Sequence, residues 1–393
     1  MTRRIVVCEP QCTGFVHVPF NSALLATVLQ AYPGWPVSFL GEEKHLRLVQ
    51  EHLKKHKVAF EGAVSWIPIE VPVRGANGFK ILRKEWAWCR QVLRKAKHVD
   101  VDSVVLCSVT NTGLLFLKPL MWLSRFPKPV VAFLHGILGS LERPAPWKPW
   151  HWALHLKRVM RLPHPRRLGY VALGEPIMRH LRLEHPGLAR TFVGLDHPYL
   201  WPAAAPVSNA GDGAVRFGFL GTTSTIKRFD WFCRLAFEVS RETSNAEFVL
   251  AGFATQGGEK TEHCGAVQGV GTKPLDADEF ANRASALTYS VWTGEPEHYR
   301  LVASASFLDS LYYAKPGIYV RNAYVEHYFE RMGDIGYMVD SFEEMRGLLI
   351  RLCRGFPKER YQQQCANILR VREELSPSSL SGSFRRIIDA LRE

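Results

Sequence analysis

The sequence predicts an α/β protein built as two doubly wound domains facing a cleft, and three observations carry this. At 393 residues the chain is too long for one ordinary core and suits two domains of roughly 200 residues each. In both halves, short β-branched runs alternate with longer helical patterns, as a parallel sheet with crossovers requires. Between the halves lies PAAAPVSNAGDGA (202–214), which is rich in Pro, Ala, Gly and Ser, has no hydrophobic periodicity and reads as a linker.

Taken in order, the first half offers strands at IVVC (5–8), VSFL (37–40), VSWIPI (64–69), SVVLC (103–107), VVAFL (130–134) and YVAL (170–173). Helical periodicity covers 21–31, 43–56, 79–97, 113–124 and 176–183, so right-handed βαβ units are the expected topology. In the second half RFGFLG (216–221) and EFVLAG (247–252) each end in glycine, as strands entering a tight βα turn do. AVQGVG (266–271), ALTYSVW (286–292) and GIYV (317–320) are the further strands, with helices at 229–241, 276–285, 304–313, 342–354 and 358–374. The expected domains are 1–201 and 215–375, with a final helix in 376–393.

With 47% hydrophobic and 22% charged residues the chain is a folded globular protein. Its formal charge of +13 is uneven: residues 1–200 carry 28 Lys and Arg against 13 Asp and Glu, and residues 201–393 carry 22 against 24. The excess positive charge of the first half suits an anionic partner. The eight cysteines are scattered and complete no zinc pattern, so free thiols in a reducing compartment and no bound metal are expected. No secretory signal is legible, since IVV (5–7) is too short for an apolar core and runs into Glu9 and Pro10. The most apolar region, 113–141, is broken by Lys118, Pro119, Arg125, Pro127, Lys128 and Pro129 and never reaches the roughly 20 clean residues of a membrane span.

Chemistry is expected where strands end. In SASFLDSLYYAKPG (304–317), Ser304 or Ser306 caps a helix whose N-terminal amides favour phosphate, with Asp309 about a turn further on. In RFGFLGTTSTIKRFDWF (216–232), a strand runs through Gly221 and Thr222 into a hydroxyl-rich turn and the pair Lys227 and Arg228, which suits a diphosphate. The Walker spacing is absent. The D-x-D in LDADEF (275–280) reads as a helix cap rather than a metal site.

These motifs fall in a recognisable order. Residues 215–345 resemble the nucleotide-sugar-binding domain of GT-B fold glycosyltransferases, hexosyltransferases of polysaccharide and glycolipid synthesis with two Rossmann-like domains. VRFGFLGTTSTIKR, EFVLAG, VGTKPLDADEFANRASALTYSVWT, SASFLDSLYYAKPGIYV and GYMVDSFEEMRGLL carry the resemblance. It implies that Gly221, Thr222, Lys227, Arg228 and the 304–306 amides bind the diphosphate of a nucleotide sugar, with Asp309 near the ribose. It implies no cofactor and no metal, the donor itself being a substrate. Retaining members commonly carry two glutamates eight residues apart near this helix. Here Asp309 stands at the second position and Leu301 at the first, and Ala314 replaces the glycine before Lys-Pro, so the stereochemistry does not carry over.

The first half fits the acceptor domain. His17, in the loop after the first strand, and His135, at the end of VVAFL, are the candidate bases toward an acceptor hydroxyl. ERPAPWKPWHWALHLKRVMRLPHPRR (142–167) has no acidic residue after Glu142 and seven Lys and Arg, so Trp147, Trp150, Trp152, Lys157 and Arg158 are candidates for an anionic membrane surface. The 79–97 helix repeats the pattern around Trp86 and Trp88. Nucleic acid is not an expected partner, since no nucleic-acid module is present.

The expectation is thus a metal-independent hexosyltransferase, peripheral on the inner face of the cytoplasmic membrane. It would move sugar to a lipid-linked or glycan acceptor in cell-envelope glycan synthesis. The resemblance further implies that the last helix packs back on the N-terminal domain. A non-catalytic scaffold of this fold and a nucleotide-sugar epimerase are the alternatives.

Overall fold

A computed structural model describes residues 3–72, 78–144, 154–202, 213–255 and 257–393. The chain divides into two compact units. One comprises Met1–Trp201, Leu301–Ala303 and Glu374–Glu393, the other Pro202–Arg300 and Ser304–Glu373.

The first unit is built on a seven-stranded sheet of β1 (Arg4–Cys8), β2 (Val37–Gly41), β3 (Val64–Pro68), β4 (Val101–Leu106), β5 (Val130–Phe133), β6 (Leu168–Leu173) and β7 (Phe192–Leu195). Its order is β3-β2-β1-β4-β5-β6-β7 and every pairing is parallel. Helices cover both faces, which is why the central strands read as unbroken apolar runs. Val6, Cys8, Val104 and Leu106 point to one face, where Trp88 of helix Gly78–Ala96 and Leu114 and Leu117 of helix Asn111–Leu123 pack. Ile5, Val7 and Val105 point to the other, against Leu24, Leu25 and Val28 of helix Val18–Ala31. The terminal helix Pro377–Ala390 adds Phe384, Ile387 and Ile388 to this second face, beside helix Val18–Ala31.

The second unit holds β8 (Val215–Thr222), β9 (Ala246–Phe253), β10 (Tyr289–Trp292), β11 (Gly317–Val320) and β12 (Gly336–Val339) in the order β12-β11-β10-β8-β9, again parallel throughout. Phe217 and Phe219 of β8 pack with Phe232 and Cys233 of helix Phe229–Glu242 and with Met345 and Leu349 of helix Phe342–Arg354. Gly221 and Gly252 face each other across β8 and β9. Gly221 has φ +86°, and a Cβ on Gly252 would lie 1.8 Å from the Gly221 carbonyl oxygen, so no side chain fits there.

Several expectations are corrected. AVQGVG forms no strand. Only a bridge between Val249 and Gln268 survives, because the two glycines weaken the run and a 3-10 turn occupies Cys264–Ala266. Strand β7 was missed, as its short FVGL carries a glycine and an exposed valine. Helix Ala323–Met332 was missed too, although Asn322 caps it by accepting from the Val325 amide at 3.0 Å. Trp147, Trp150, Trp152 and most of the 202–214 linker lie outside the described residues.

Candidate functional site

In an open parallel sheet, ligands bind beyond the carboxyl ends of the strands, where the strand order reverses. In the second unit that point lies between β8 and β10, and a small pocket with room for about one water molecule lies there. Phe219, Leu220, Lys227, Ser306 and Tyr319 line it, with the run from Ser290 to Gly294 at the end of β10.

Each wall has a local cause. The loop from Gly221 to Arg228 is braced from both neighbouring strands. The Thr255 amide donates to Thr223 Oγ1 at 2.9 Å, the Glu295 amide to the Ile226 carbonyl at 2.9 Å, and the Thr293 hydroxyl to the Lys227 and Arg228 carbonyls at 2.7 and 2.9 Å. This bracing holds Lys227 half-buried. A Cβ on Gly221 would come within 3.3 Å of its Nζ, so the glycine makes room for the ammonium. Burial lowers the Lys227 pKa to about 8, and the charge of Asp309 opposes that shift.

Opposite stands helix Ala305–Tyr312. Ser304 is its N-cap, its Oγ accepting from the Phe307 amide at 3.2 Å and from the Trp292 indole at 3.2 Å, with Ser306 Oγ another 3.2 Å away. The helix N-terminus and a lysine therefore border one pocket, an arrangement suited to an anion.

Not every candidate converges there. Arg228 adopts φ 48° at the start of helix Phe229–Glu242, and its guanidinium lies 4.7 Å from the ring of Trp231. It is not among the pocket's lining residues. Ser304 acts behind the pocket as cap and indole partner. Lys315 turns away, donating to the Ser285 carbonyl at 2.7 Å at the end of helix Ala277–Ala286. The D-x-D is a cap: Asp276 Oδ1 accepts from the Asp278 and Glu279 amides at 3.1 and 2.8 Å. Leu301 is 1% exposed within the apolar core of the first unit. Trp292, Thr293, Gly294 and Tyr319 were not singled out from the sequence, although the end of a strand at the reversal point was the available signal for the first three.

The first unit reverses between β1 and β4, and a buried polar cluster fills that end. Glu9 Oε1 accepts from the Gln11 and Cys12 amides at 3.0 and 3.1 Å and from the Ser108 hydroxyl, while Oε2 accepts from Asn21 Nδ2 at 3.0 Å. The same loop is tied at Gly14, whose amide donates to Glu42 Oε2 at 3.2 Å and whose carbonyl lies 2.8 Å from His45 Nδ1. His17 stands at the N-cap position of helix Val18–Ala31 with φ 59° and no capping hydrogen bond from its side chain, Nδ1 3.2 Å from Cys12 Sγ and its ring stacked on His135 at 4.6 Å. His135 Nε2 lies 3.0 Å from the Cys107 carbonyl, an acceptor only, so that nitrogen carries the proton and Nδ1 is left to accept. Burial and the neighbouring imidazoles push the His135 pKa well down, which keeps the ring neutral. His197, missed in the sequence, completes the group with its ring 6.1 Å from that of His135 and its pKa lowered to about 4 by burial.

Elsewhere in this unit Lys157 and Arg158, on helix Leu156–Arg161, line a surface pocket of mixed charge with Arg143, Arg161, Glu142 and Glu184.

No family model matches the chain, and no curated protein sequence does. Solved structures do match along its whole length. The lipopolysaccharide outer core galactosyltransferase WaaB, in its apo form, is 13% identical, with 98% of this chain and 99% of that one covered and a TM-score of 0.64. The catalytic domain of starch synthase IV from Arabidopsis thaliana, bound to ADP and acarbose, is 9% identical over 100% of both chains at 0.67. Anabaena HepE in complex with UDP is 11% identical over 99% and 100% at 0.63. The chain therefore has the GT-B fold, with two Rossmann-like units.

Proposed function

We propose that the protein is a glycosyltransferase that moves a sugar from a nucleotide diphosphate donor to a hydroxyl group of a lipid-linked or glycan acceptor. The observation that carries this reading is the pocket at the reversal point of the five-stranded sheet, where Lys227 and the N-terminus of helix Ala305–Tyr312 meet. A diphosphate docked at the mouth of this pocket would take charge-assisted hydrogen bonds from Lys227 and dipole stabilisation from the helix, so its departure as a leaving group needs no divalent ion beside it. Asp309 and Ser306 stand within the same helix for the ribose and phosphate oxygens. His135, whose Nδ1 is left to accept, and His17 are the groups of the first unit that would receive the acceptor's proton; burial keeps His135 unprotonated beforehand but makes it the weaker base. Structures of this fold solved with UDP, UDP-glucose and ADP support a nucleotide-sugar donor.

The acceptor side of the proposal rests on charge and exposed rings. Phe79 and Trp86 on helix Gly78–Ala96 and Trp122 and Leu123 at the end of helix Asn111–Leu123 are exposed, on two helices that pack together. Lys80, Arg83, Arg90 and Arg94 are exposed on the first of these helices. Rings among cations suit an anionic lipid surface, and the proposed location is the inner face of the cytoplasmic membrane. No described helix is long and apolar enough to cross a membrane. All eight cysteines are free thiols, in keeping with a reducing compartment.

Calorimetric titration with UDP, GDP and ADP tests the donor site. Saturable binding of one nucleotide, lost in Lys227→Ala, is expected, and a folded protein that binds none of them overturns the reading. The buried Leu301 favours one second reading, a non-catalytic scaffold. Nucleotide binding without turnover of any nucleotide sugar over a panel of acceptors would select it.

A further inference from the structure

We propose that Glu9, Cys12 and His17 form a binding site for a zinc-class divalent cation on the loop that follows β1. This goes beyond the donor-site reading, lies in the other unit and does not depend on it; with the cation bound, His17 is a ligand and the proton-accepting role proposed above falls to His135.

The carboxylate, thiol and imidazole ligand atoms all lie within 4.8 Å of one another. Cys12 Sγ and His17 Nδ1 are 3.2 Å apart. Tetrahedral zinc, with Zn–S near 2.3 Å and Zn–N near 2.0 Å, places such a pair about 3.5 Å apart, so two ligands need almost no movement. The Glu9 carboxylate closes the remaining distance only by giving up part of the hydrogen bonding that Gln11, Cys12, Ser108 and Asn21 now supply, which the metal bond replaces.

The ligand set selects the metal. A thiolate with an imidazole and one carboxylate favours zinc over magnesium or calcium, which want oxygen alone. Charge is balanced as well. A divalent cation with one thiolate and one carboxylate is neutral overall, which is what a site with Glu9 0% and Cys12 3% exposed requires. On binding, the Cys12 thiol releases its proton to solvent and His17 binds as neutral imidazole.

The Cys12 and His17 pair is already near ligating distance, and the loop around it is braced. Asn21 and Ser108 donate to the Glu9 carboxylate, and the His135 ring stacks on His17 and fixes its orientation. Glu42 and His45 hold Gly14, midway between Cys12 and His17 in the loop. Three protein ligands leave a fourth position for water or a substrate hydroxyl, as in zinc sites that act on a bound oxygen.

The test uses the full-length protein, stripped with a chelator and titrated with Co²⁺. One cobalt per chain is expected, with sulfur-to-cobalt charge-transfer and tetrahedral d–d absorption, bleached by equimolar Zn²⁺ and unaffected by excess Mg²⁺. Cys12→Ser and His17→Ala should each remove the charge-transfer band or weaken binding by roughly tenfold or more, while Cys264→Ser in the other unit retains it. Binding should weaken as pH falls, because protons compete for the thiolate and imidazole. Glu9→Gln is less informative, since Glu9 also staples the loop, so circular dichroism and thermal unfolding accompany each variant. A folded wild type without a thiolate band overturns the proposal and leaves Cys12 and His17 as a hydrogen-bonded pair. So does a band that persists in Cys12→Ser.

Discussion

The two strand-order reversals of this molecule obey one topological rule and are filled with opposite chemistry. In the second unit the crevice between β8 and β10 is bordered by a lysine and a helix N-terminus. In the first, the end of β1 and β4 is closed by Glu9, Cys12, Asn21, Ser108 and a histidine group around His17. The rule says where a ligand goes, and the loops say which charge it carries. As proposed, the crevice of the second unit takes an anion and the buried cluster of the first unit a cation.

The largest effect expected is on the anion side. Lys227→Ala removes a charge-assisted hydrogen bond worth about 1.5–3 kcal/mol, so nucleoside diphosphate affinity should fall roughly ten- to a hundredfold by calorimetry. The same variant should leave the cobalt spectrum unchanged, and a shifted spectrum would merge the two regions into one site. Next comes pH. Free Lys227 loses its proton near pH 8, whereas a bound diphosphate favours the protonated form. Affinity should therefore decline as pH rises through about 8, with proton uptake on binding, measurable in two buffers of different ionisation enthalpy. Because Asp309 holds that pKa up, Asp309→Asn should move the decline to lower pH. A flat profile from pH 6 to 9, roughly spanning the shift, would remove Lys227 from the contact.

Smaller effects concern the helix itself. Ser304→Ala loses the cap and the Trp292 partner, costing about 1 kcal/mol in denaturant unfolding and weakening diphosphate binding besides. Ala314 sits at φ 50° after that helix, a conformation suited to glycine. Ala314→Gly should stabilise the protein by roughly 0.5–1 kcal/mol, with nucleotide affinity unchanged. Destabilisation instead would show that the packing of the buried Ala314 methyl outweighs the backbone strain.

Some of this was legible in the sequence because it is local. IVVC, SVVLC and RFGFLG announced strands by β-branched and apolar runs, Gly221 and Gly252 marked the tight βα turn, and Ser304 and Asp276 declared helix caps. Lys227 stood out because two cations follow a strand and a hydroxyl-rich turn. Its neighbour Arg228 carries the same charge, yet its guanidinium lies over the Trp231 ring, a placement that composition does not encode.

What the sequence alone determined is the placing of excess positive charge in the first half, which composition gives directly, and the alternation of strands and helices with their caps and turns, which depend on residues within one turn or strand of each other. The tertiary structure decided which ends meet. It set Thr293 against Lys227 and Trp292 against Ser304, sank Leu301 in an apolar core, and gathered Glu9, Asn21, His45, Ser108, His135 and His197 about one loop. Parallel strands adjacent in space are separated by whole crossovers in sequence, so partners such as Glu9 and Ser108 are brought together by sheet register and by burial, which demands that each polar group find a mate.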